Sequence, residues 1–194
     1  MPRLFVAIDL PGNLKADLAG LAFELPIARW VSQEELHLTL RFIGEVDEQS
    51  LSAIKSALSG IGFPAFPLSL CGVGHFPPGR RPRVLWVGIN SSQELLQLQQ
   101  EIELALIGSG IPADTRRFSP HITVARLRET LPAAVDRFET KHGTLSCPAF
   151  EVGEFILYSS ILTRHGAIHS KEAVYLCQKT PVSPCPVASR KRED

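Results

Sequence analysis

Two short stretches of the chain each carry a histidine and a threonine separated by one residue. The first reads ELHLTLRFIG and contains His37 and Thr39, and the second reads FSPHITVAR and contains His121 and Thr123. On a β-strand, side chains two residues apart point to the same face, about 7 Å from one another. Each histidine therefore shares a face with its threonine, while the intervening apolar residues face a core. Each stretch predicts half of a site, with one imidazole and one hydroxyl.

Two imidazoles and two hydroxyls suit phosphoryl transfer by general acid–base catalysis. Histidine titrates near neutral pH, so one ring can take a proton while the other, already charged, gives one. We predict that His37 and His121 are catalytic, although their spacing does not say which is the acid. Hydroxyls donate to phosphate oxygens, and a guanidinium adds a fixed positive fork. The phosphate would thus be bound by Thr39, Thr123 and Arg126.

Other interpretations of the two motifs have less support. A single strand histidine is more often a structural residue with a hydrogen-bond partner, but two copies inside apolar strands favour function. A metal site is disfavoured because the chain has no His-x-His, His-Glu-x-x-His or Cys-x-x-Cys pattern. Nucleophilic catalysis is disfavoured because there is no Gly-x-Ser-x-Gly turn and no cysteine beside either motif. We therefore expect neither a metal nor another cofactor.

Hydrophobic patterning predicts an α+β domain. Apolar runs alternate with helical spacings in the order strand, helix, strand, helix, strand, strand, helix, strand, helix, strand, strand. Asp47 and either Ser91 or Ser92 are predicted helix caps, and Pro132 a helix start. The short connections predict a single bilobal domain over residues 1–180, with a disordered, proline-containing tail over residues 181–194.

The composition limits the classes of function. The chain has 194 residues and a formal net charge of zero, so contact with a nucleic acid would depend on local basic clusters. Such clusters are Arg80, Arg81 and Arg83 in one loop, and Arg116 and Arg117 before the second motif. No segment reaches the roughly 20 apolar residues that span a bilayer. The N-terminal apolar run is too short for a signal peptide, so we expect a cytoplasmic protein.

The remaining histidines are predicted to be surface residues. His75 would lie in the arginine-rich loop, and His142 at a helix end, where a cation is favoured. His165 and His169 would lie in a polar turn, TRHGAIHSKE, between two late strands.

The paired motifs resemble those of the 2H phosphoesterase superfamily. Further stretches are similar to its bacterial and archaeal RNA 2′,3′-cyclic phosphodiesterase branch, also called the 2′-5′ RNA ligase family. The similar stretches are the opening strand RLFVAIDLP, the motif strands HLTLRFIGEV and FSPHITVARL, and the segment between them, GHFPPGRRPRVLWVGI.

This resemblance implies a bilobal 2H phosphoesterase fold, in which two antiparallel sheets flanked by helices surround a central cleft. It implies hydrolysis of a terminal 2′,3′-cyclic phosphate on RNA to a 2′-phosphomonoester without metal or nucleotide, and weak ATP-independent 2′-5′ RNA ligation. His37 would be the proton donor to the departing ribose 3′ oxygen, and His121 the proton acceptor that activates water. The expected partner is RNA with cyclic phosphate ends, with no membrane contact, and the expected state is a monomer.

Two alternatives stay open. One is a 2H esterase that acts on a small cyclic nucleotide phosphate, and the other is a non-catalytic module that binds RNA or nucleotides. Two titrating groups in matching motifs argue against pure binding, since a binding module has no need of an acid and a base.

Overall fold

The computed structural model describes residues 3–25, 28–79, 81–128, 132–163 and 166–178. Ten strands lie in these residues: β1 Arg3–Asp9, β2 Arg29–Trp30, β3 His37–Glu45, β4 Phe66–Leu68, β5 Leu70–Phe76, β6 Val84–Ile89, β7 His121–Arg126, β8 Phe150–Val152, β9 Glu154–Thr163 and β10 Gly166–Leu176. The four α-helices are α1 Gly12–Gly20, α2 Glu48–Ser59, α3 Gln93–Gly108 and α4 Pro132–His142. The predicted disordered tail lies outside the described residues.

Eight of the strands form one antiparallel sheet that has two arms. The strand order is β10-β9-β1-β3-β7-β6-β5, and β2 pairs with β7 in addition. The arm β10-β9-β1-β3 meets the arm β7-β6-β5 through a single residue pair, Leu38 with Ile122. The strands β4 and β8 form a separate two-stranded antiparallel sheet. The predicted α+β architecture with antiparallel sheets is confirmed.

All four helices bury their apolar residues in one continuous core on one side of the sheet. That core includes Leu18 of α1, Ile54 of α2, Ile102 of α3 and Val135 of α4, together with buried strand residues from both arms. Since the helices occupy this side, the motif side chains that point away from the core are left on the opposite face. No helix in the described part of the chain is long and apolar enough to cross a membrane.

Local capping signals predicted the helix starts correctly. The Asp47 side chain accepts a hydrogen bond from the Ser50 amide at 2.7 Å and begins α2, while Ser92 Oγ accepts from the Leu95 amide at 3.1 Å and begins α3. Each cap satisfies an amide that has no partner inside its helix.

The predicted polar turn TRHGAIHSKE is wrong in most of its length. Strand β10 begins at Gly166 and pairs with β9 along that stretch, so His169 lies opposite Ser160. An edge strand needs few apolar residues, which hides it from a search for hydrophobic runs. The loop predicted to contain His75 also begins too early, since β5 continues through Phe76.

Arg41 holds β3 to α3 and to the segment after α3. Its side chain is 7% exposed and donates hydrogen bonds to the Glu103 carboxylate and to the Phe42 carbonyl. It also donates to the Pro112 carbonyl at 2.6 Å, and Asp114 lies 3.8 Å away. Removing this cation would leave the carboxylate of Glu103 largely buried without its partner.

We therefore expect Arg41→Ala to lower the free energy of unfolding by about 3–5 kcal/mol, measured by urea denaturation at pH 7. The control is Arg3→Ala, which breaks an exposed ion pair with Glu45 at 3.2 Å. Its loss should be below about 1 kcal/mol. Equal losses in the two variants would contradict the structural role of Arg41.

Candidate functional site

The pair Leu38–Ile122 positions the two predicted half-sites. Both side chains are fully buried and face the core. On a strand, the residues before and after each of them must point to the opposite face. The histidine and threonine of both motifs therefore emerge together on the face of the sheet that the helices leave open.

The antiparallel register also decides which motif residues are neighbours. The residue before Leu38 lies across from the residue after Ile122, and the residue after Leu38 lies across from the residue before Ile122. His37 is thus placed across from Thr123, and Thr39 across from His121. Each imidazole neighbours the hydroxyl of the other motif, so a phosphate at the centre would lie between the two rings.

Both motif imidazoles are oriented in the same way. His37 Nδ1 lies 2.7 Å from the Glu35 carbonyl oxygen, and His121 Nδ1 lies 2.7 Å from the Ser119 carbonyl oxygen. A carbonyl only accepts, so Nδ1 carries the proton in each ring. Nε2 is consequently the atom at which each neutral ring can take up a proton, and at which the charged ring can give that proton away.

The two imidazoles differ in their surroundings. His37 stacks on Phe5 with ring centroids 4.9 Å apart and has the edge of His169 at 5.4 Å. Burial, and then the nearby His169, lower the pKa of His37 to about 4. His121 has Phe76 edge-on at 5.0 Å and Trp86 at 6.4 Å. In the free protein, His37 is thus neutral at pH 7.

His169 is a site residue that the sequence analysis missed. Its ring lies 5.0 Å from Phe5 as well as near His37, and it lines the same cavity as His37. Burial lowers the pKa of His169. The sequence contains no local signal for this position, because a histidine in a polar edge strand resembles one in a turn.

The other predicted surface histidines have partners. His75 Nδ1 lies 2.6 Å from a Glu139 carboxylate oxygen, and Nε2 lies 3.0 Å from the Gly79 carbonyl. Burial opposes charge on this ring, but both hydrogen bonds favour it, and the pKa of His75 is raised. His142 Nε2 lies 2.9 Å from the carboxylate of Glu24. These rings therefore fasten α4 to its neighbours, whereas His165 lies outside the described residues.

A β-bulge lies directly after the threonine in each motif strand. In β3 the register skips Leu40, and in β7 it skips Val124. A bulge interrupts the alternation of faces and re-aims the next side chains. The residues three places after the threonines, Phe42 and Arg126, are therefore exposed on the cleft side instead of buried. Strict alternation would have placed Arg126 on the face opposite Thr123.

A cavity of about 730 Å³ lies where the two arms meet. It is lined by residues of both arms, including His37, Thr39, Thr123, Arg126 and His169. The other predicted catalytic residue, His121, lines a separate cavity of about 390 Å³. Within the described ranges, no three His, Cys, Asp or Glu side chains are grouped so that they could hold a metal ion.

The described arginines of the two predicted basic clusters do not line this cavity. Arg116 is held by Asp114 through contacts of 2.8 and 2.9 Å, and neither it nor Arg117 lines the cavity. Arg83 is connected to the end of β7, since its carbonyl accepts from the Leu127 amide at 2.8 Å. Arg80 lies outside the described residues.

Two named proteins are similar in sequence to most of this chain. The RNA 2′,3′-cyclic phosphodiesterase of Thermotoga maritima is 35% identical over 184 residues, which cover 91% of this chain and 95% of that protein. The protein of that name from Archaeoglobus fulgidus is 35% identical, over 89% of this chain and 99% of its own length.

Solved structures are similar to this chain in fold. The crystal structure of Escherichia coli LigT complexed with 3′-AMP superimposes with a TM-score of 0.74 at 28% identity, over 92% of this chain and all of that chain. TT0787 of Thermus thermophilus gives a TM-score of 0.75 at 26% identity, over 90% and 97%. The family model of the 2′-5′ RNA ligase superfamily matches residues 14–162. On both sequence and fold, the chain belongs to the 2′-5′ RNA ligase superfamily.

Proposed function

We propose that the protein hydrolyses the terminal 2′,3′-cyclic phosphate of RNA to a 2′-phosphomonoester, with two histidines as general acid and base. The observation that carries the proposal is the pairing of Leu38 with Ile122, which brings both His-x-Thr units to one face with their Nε2 atoms available. The relatives named RNA 2′,3′-cyclic phosphodiesterase support the choice of substrate.

The threonine hydroxyls and the Arg126 guanidinium would bind the phosphate. Thr39 and Thr123 would donate to the non-bridging oxygens, one from each strand, and Arg126 would add a charge-assisted fork. Phe42 is 56% exposed beside the same cavity and presents a ring on which a nucleobase can stack. These groups would hold the phosphorus between the two imidazoles.

Proton transfer is assigned from the positions of the rings. Nε2 of His121 takes a proton from water as the water oxygen bonds to phosphorus, and Nε2 of His37 gives its proton to the ribose 3′ oxygen as the P–O3′ bond breaks. The product keeps the phosphate on the 2′ oxygen. Burial makes the charged His37 ring a stronger acid, which suits the donor role. A 5′-hydroxyl in place of water would produce the weak 2′-5′ ligation.

The alternatives differ from this proposal in measurable ways. An esterase for small cyclic nucleotides would act equally well on a mononucleotide and on an oligomer, and a binding module would act on neither. Exposed Phe42 and the arginines of the cavity favour a substrate with a base and further phosphates. A cytoplasmic location and a monomeric state stay predictions.

The test is hydrolysis of an RNA oligomer ending in a 2′,3′-cyclic phosphate, assayed in a strong chelator. We expect a 2′-phosphate product, and roughly 100- to 10,000-fold slower turnover in His37→Ala and in His121→Ala, the usual effect of losing a positioned acid or base. A 3′-phosphate product, or near-normal turnover in either variant, would contradict the mechanism. Activity that chelator abolishes and zinc restores would replace it with a metal-assisted one.

Turnover should depend on pH as a bell, because only one protonation state of the pair is productive. A bound phosphate anion favours the charged form of His37 and should raise its pKa from about 4. Both limbs should therefore lie at higher pH in kcat than in kcat/KM, and NMR titration of the His37 ring should show a higher pKa with inorganic phosphate. A ring that stays neutral at pH 7 with phosphate bound would exclude His37 as the acid.

Arg126→Ala should raise KM and lower kcat, because the guanidinium contacts the phosphate in both the bound state and the transition state. Arg126→Lys should recover only part of the loss, since an ammonium restores the charge but not the two parallel hydrogen bonds. Steady-state kinetics on the same oligomer measure both effects. Wild-type rates in Arg126→Ala would show that this side chain does not bind the substrate.

A further inference from the structure

Two arginines face each other directly at one end of the cleft. Strand β2 pairs with β7 so that Arg29 lies opposite Arg126, and the Val31 amide donates to the Val124 carbonyl at 2.9 Å. Residues in such a pair have Cβ atoms about 5 Å apart, and like charges in this arrangement destabilise a sheet. The pair therefore concentrates two guanidinium groups at this end of the cleft.

A third arginine belongs to the same group. Arg128 lies two residues after Arg126, and the buried Leu127 between them places both on the exposed side. All three guanidinium side chains line the cavity of about 730 Å³ that contains His37 and the two motif threonines. The carboxylate that lines this cavity within the described residues is that of Glu35. Positive charge therefore predominates at this end.

These three arginines together carry more positive charge than the cyclic phosphate carries negative charge. The site described above already assigns two hydroxyls and Arg126 to the cyclic phosphate, which carries one negative charge. Arg29 lies across from Arg126 on β2, and Arg128 follows the end of β7, so both are at the end of β7 that is farther from the pair Leu38–Ile122. Their position suits a second anion that is attached to the first.

We infer that Arg29 and Arg128 form a second phosphate subsite, which binds the 5′-phosphate of the nucleotide that carries the cyclic phosphate. This inference rests on the proposed function. In an RNA chain that 5′-phosphate is the nearest phosphodiester to the reacting one, so the subsite selects RNA ends over free nucleoside cyclic phosphates. Exposed arginines bind such phosphates through charge-assisted hydrogen bonds and release counterions on binding.

The experiment compares two small substrates that differ by one group: adenosine 2′,3′-cyclic phosphate and its 5′-phosphorylated derivative. Wild-type protein should show about tenfold higher kcat/KM for the 5′-phosphorylated compound, mostly through KM. Arg29→Ala and Arg128→Ala should each reduce this preference several-fold, and each should lower by about 1 the slope of log(kcat/KM) against log salt concentration for that compound. The control is Arg137→Ala, an exposed arginine of α4 that does not line the cavity.

The outcomes separate the subsite from the reaction. Equal kcat/KM for the two substrates in wild-type protein would overturn the subsite and leave the proposed function intact. The subsite would also be overturned if the arginine variants lowered kcat/KM for both substrates by the same factor. That result would place the arginines at the reacting phosphate. If wild-type protein hydrolyses neither substrate nor the RNA oligomer, the proposed function and the subsite both fail.

Discussion

The site depends on one backbone pairing between two strands that are far apart in the sequence. Leu38 and Ile122 bring the arms of the sheet together, and their burial anchors the contact in the core. Because strand side chains alternate, this pair alone determines that both histidines and both threonines emerge on the same face. A shift of one residue in either strand would turn its motif into the core, so the apolar residues beside the motif enforce the register of the histidines and threonines.

Bulges at matching positions in β3 and β7 bring different side chains to the cleft. Each strand has a bulge directly after the threonine, and the residue three places after each threonine lies on the cleft side. In β3 that residue is Phe42, whose ring can support a base, and in β7 it is Arg126, whose charge can hold a phosphate. Under the proposed function, the two bulges would place a ring beside the base of a nucleotide and a positive charge beside its phosphate.

The surroundings of the histidines add a second asymmetry. His37 lies against Phe5 and His169, and burial lowers its pKa, whereas His121 lies beside Phe76 and Trp86, which also contact each other. If a bound phosphate raises that pKa, as proposed, the protonation of His37 depends on the presence of the substrate. Arg41, on the core side of β3, is ion-paired with Glu103, and we expect it to contribute to stability and not to the chemistry of the cleft.

The sequence by itself determined the parts of the protein that depend on local chemistry. Strand alternation predicted the shared face of His37 and Thr39, capping predicted the start of α2 at Asp47, and the motifs predicted the family, which the comparisons confirm. The tertiary structure alone decided that His169 reaches His37 and that Arg29 lies opposite Arg126. Those contacts arise from pairings across long sequence separations and from a polar edge strand, and neither leaves a periodic pattern in the residues that make it.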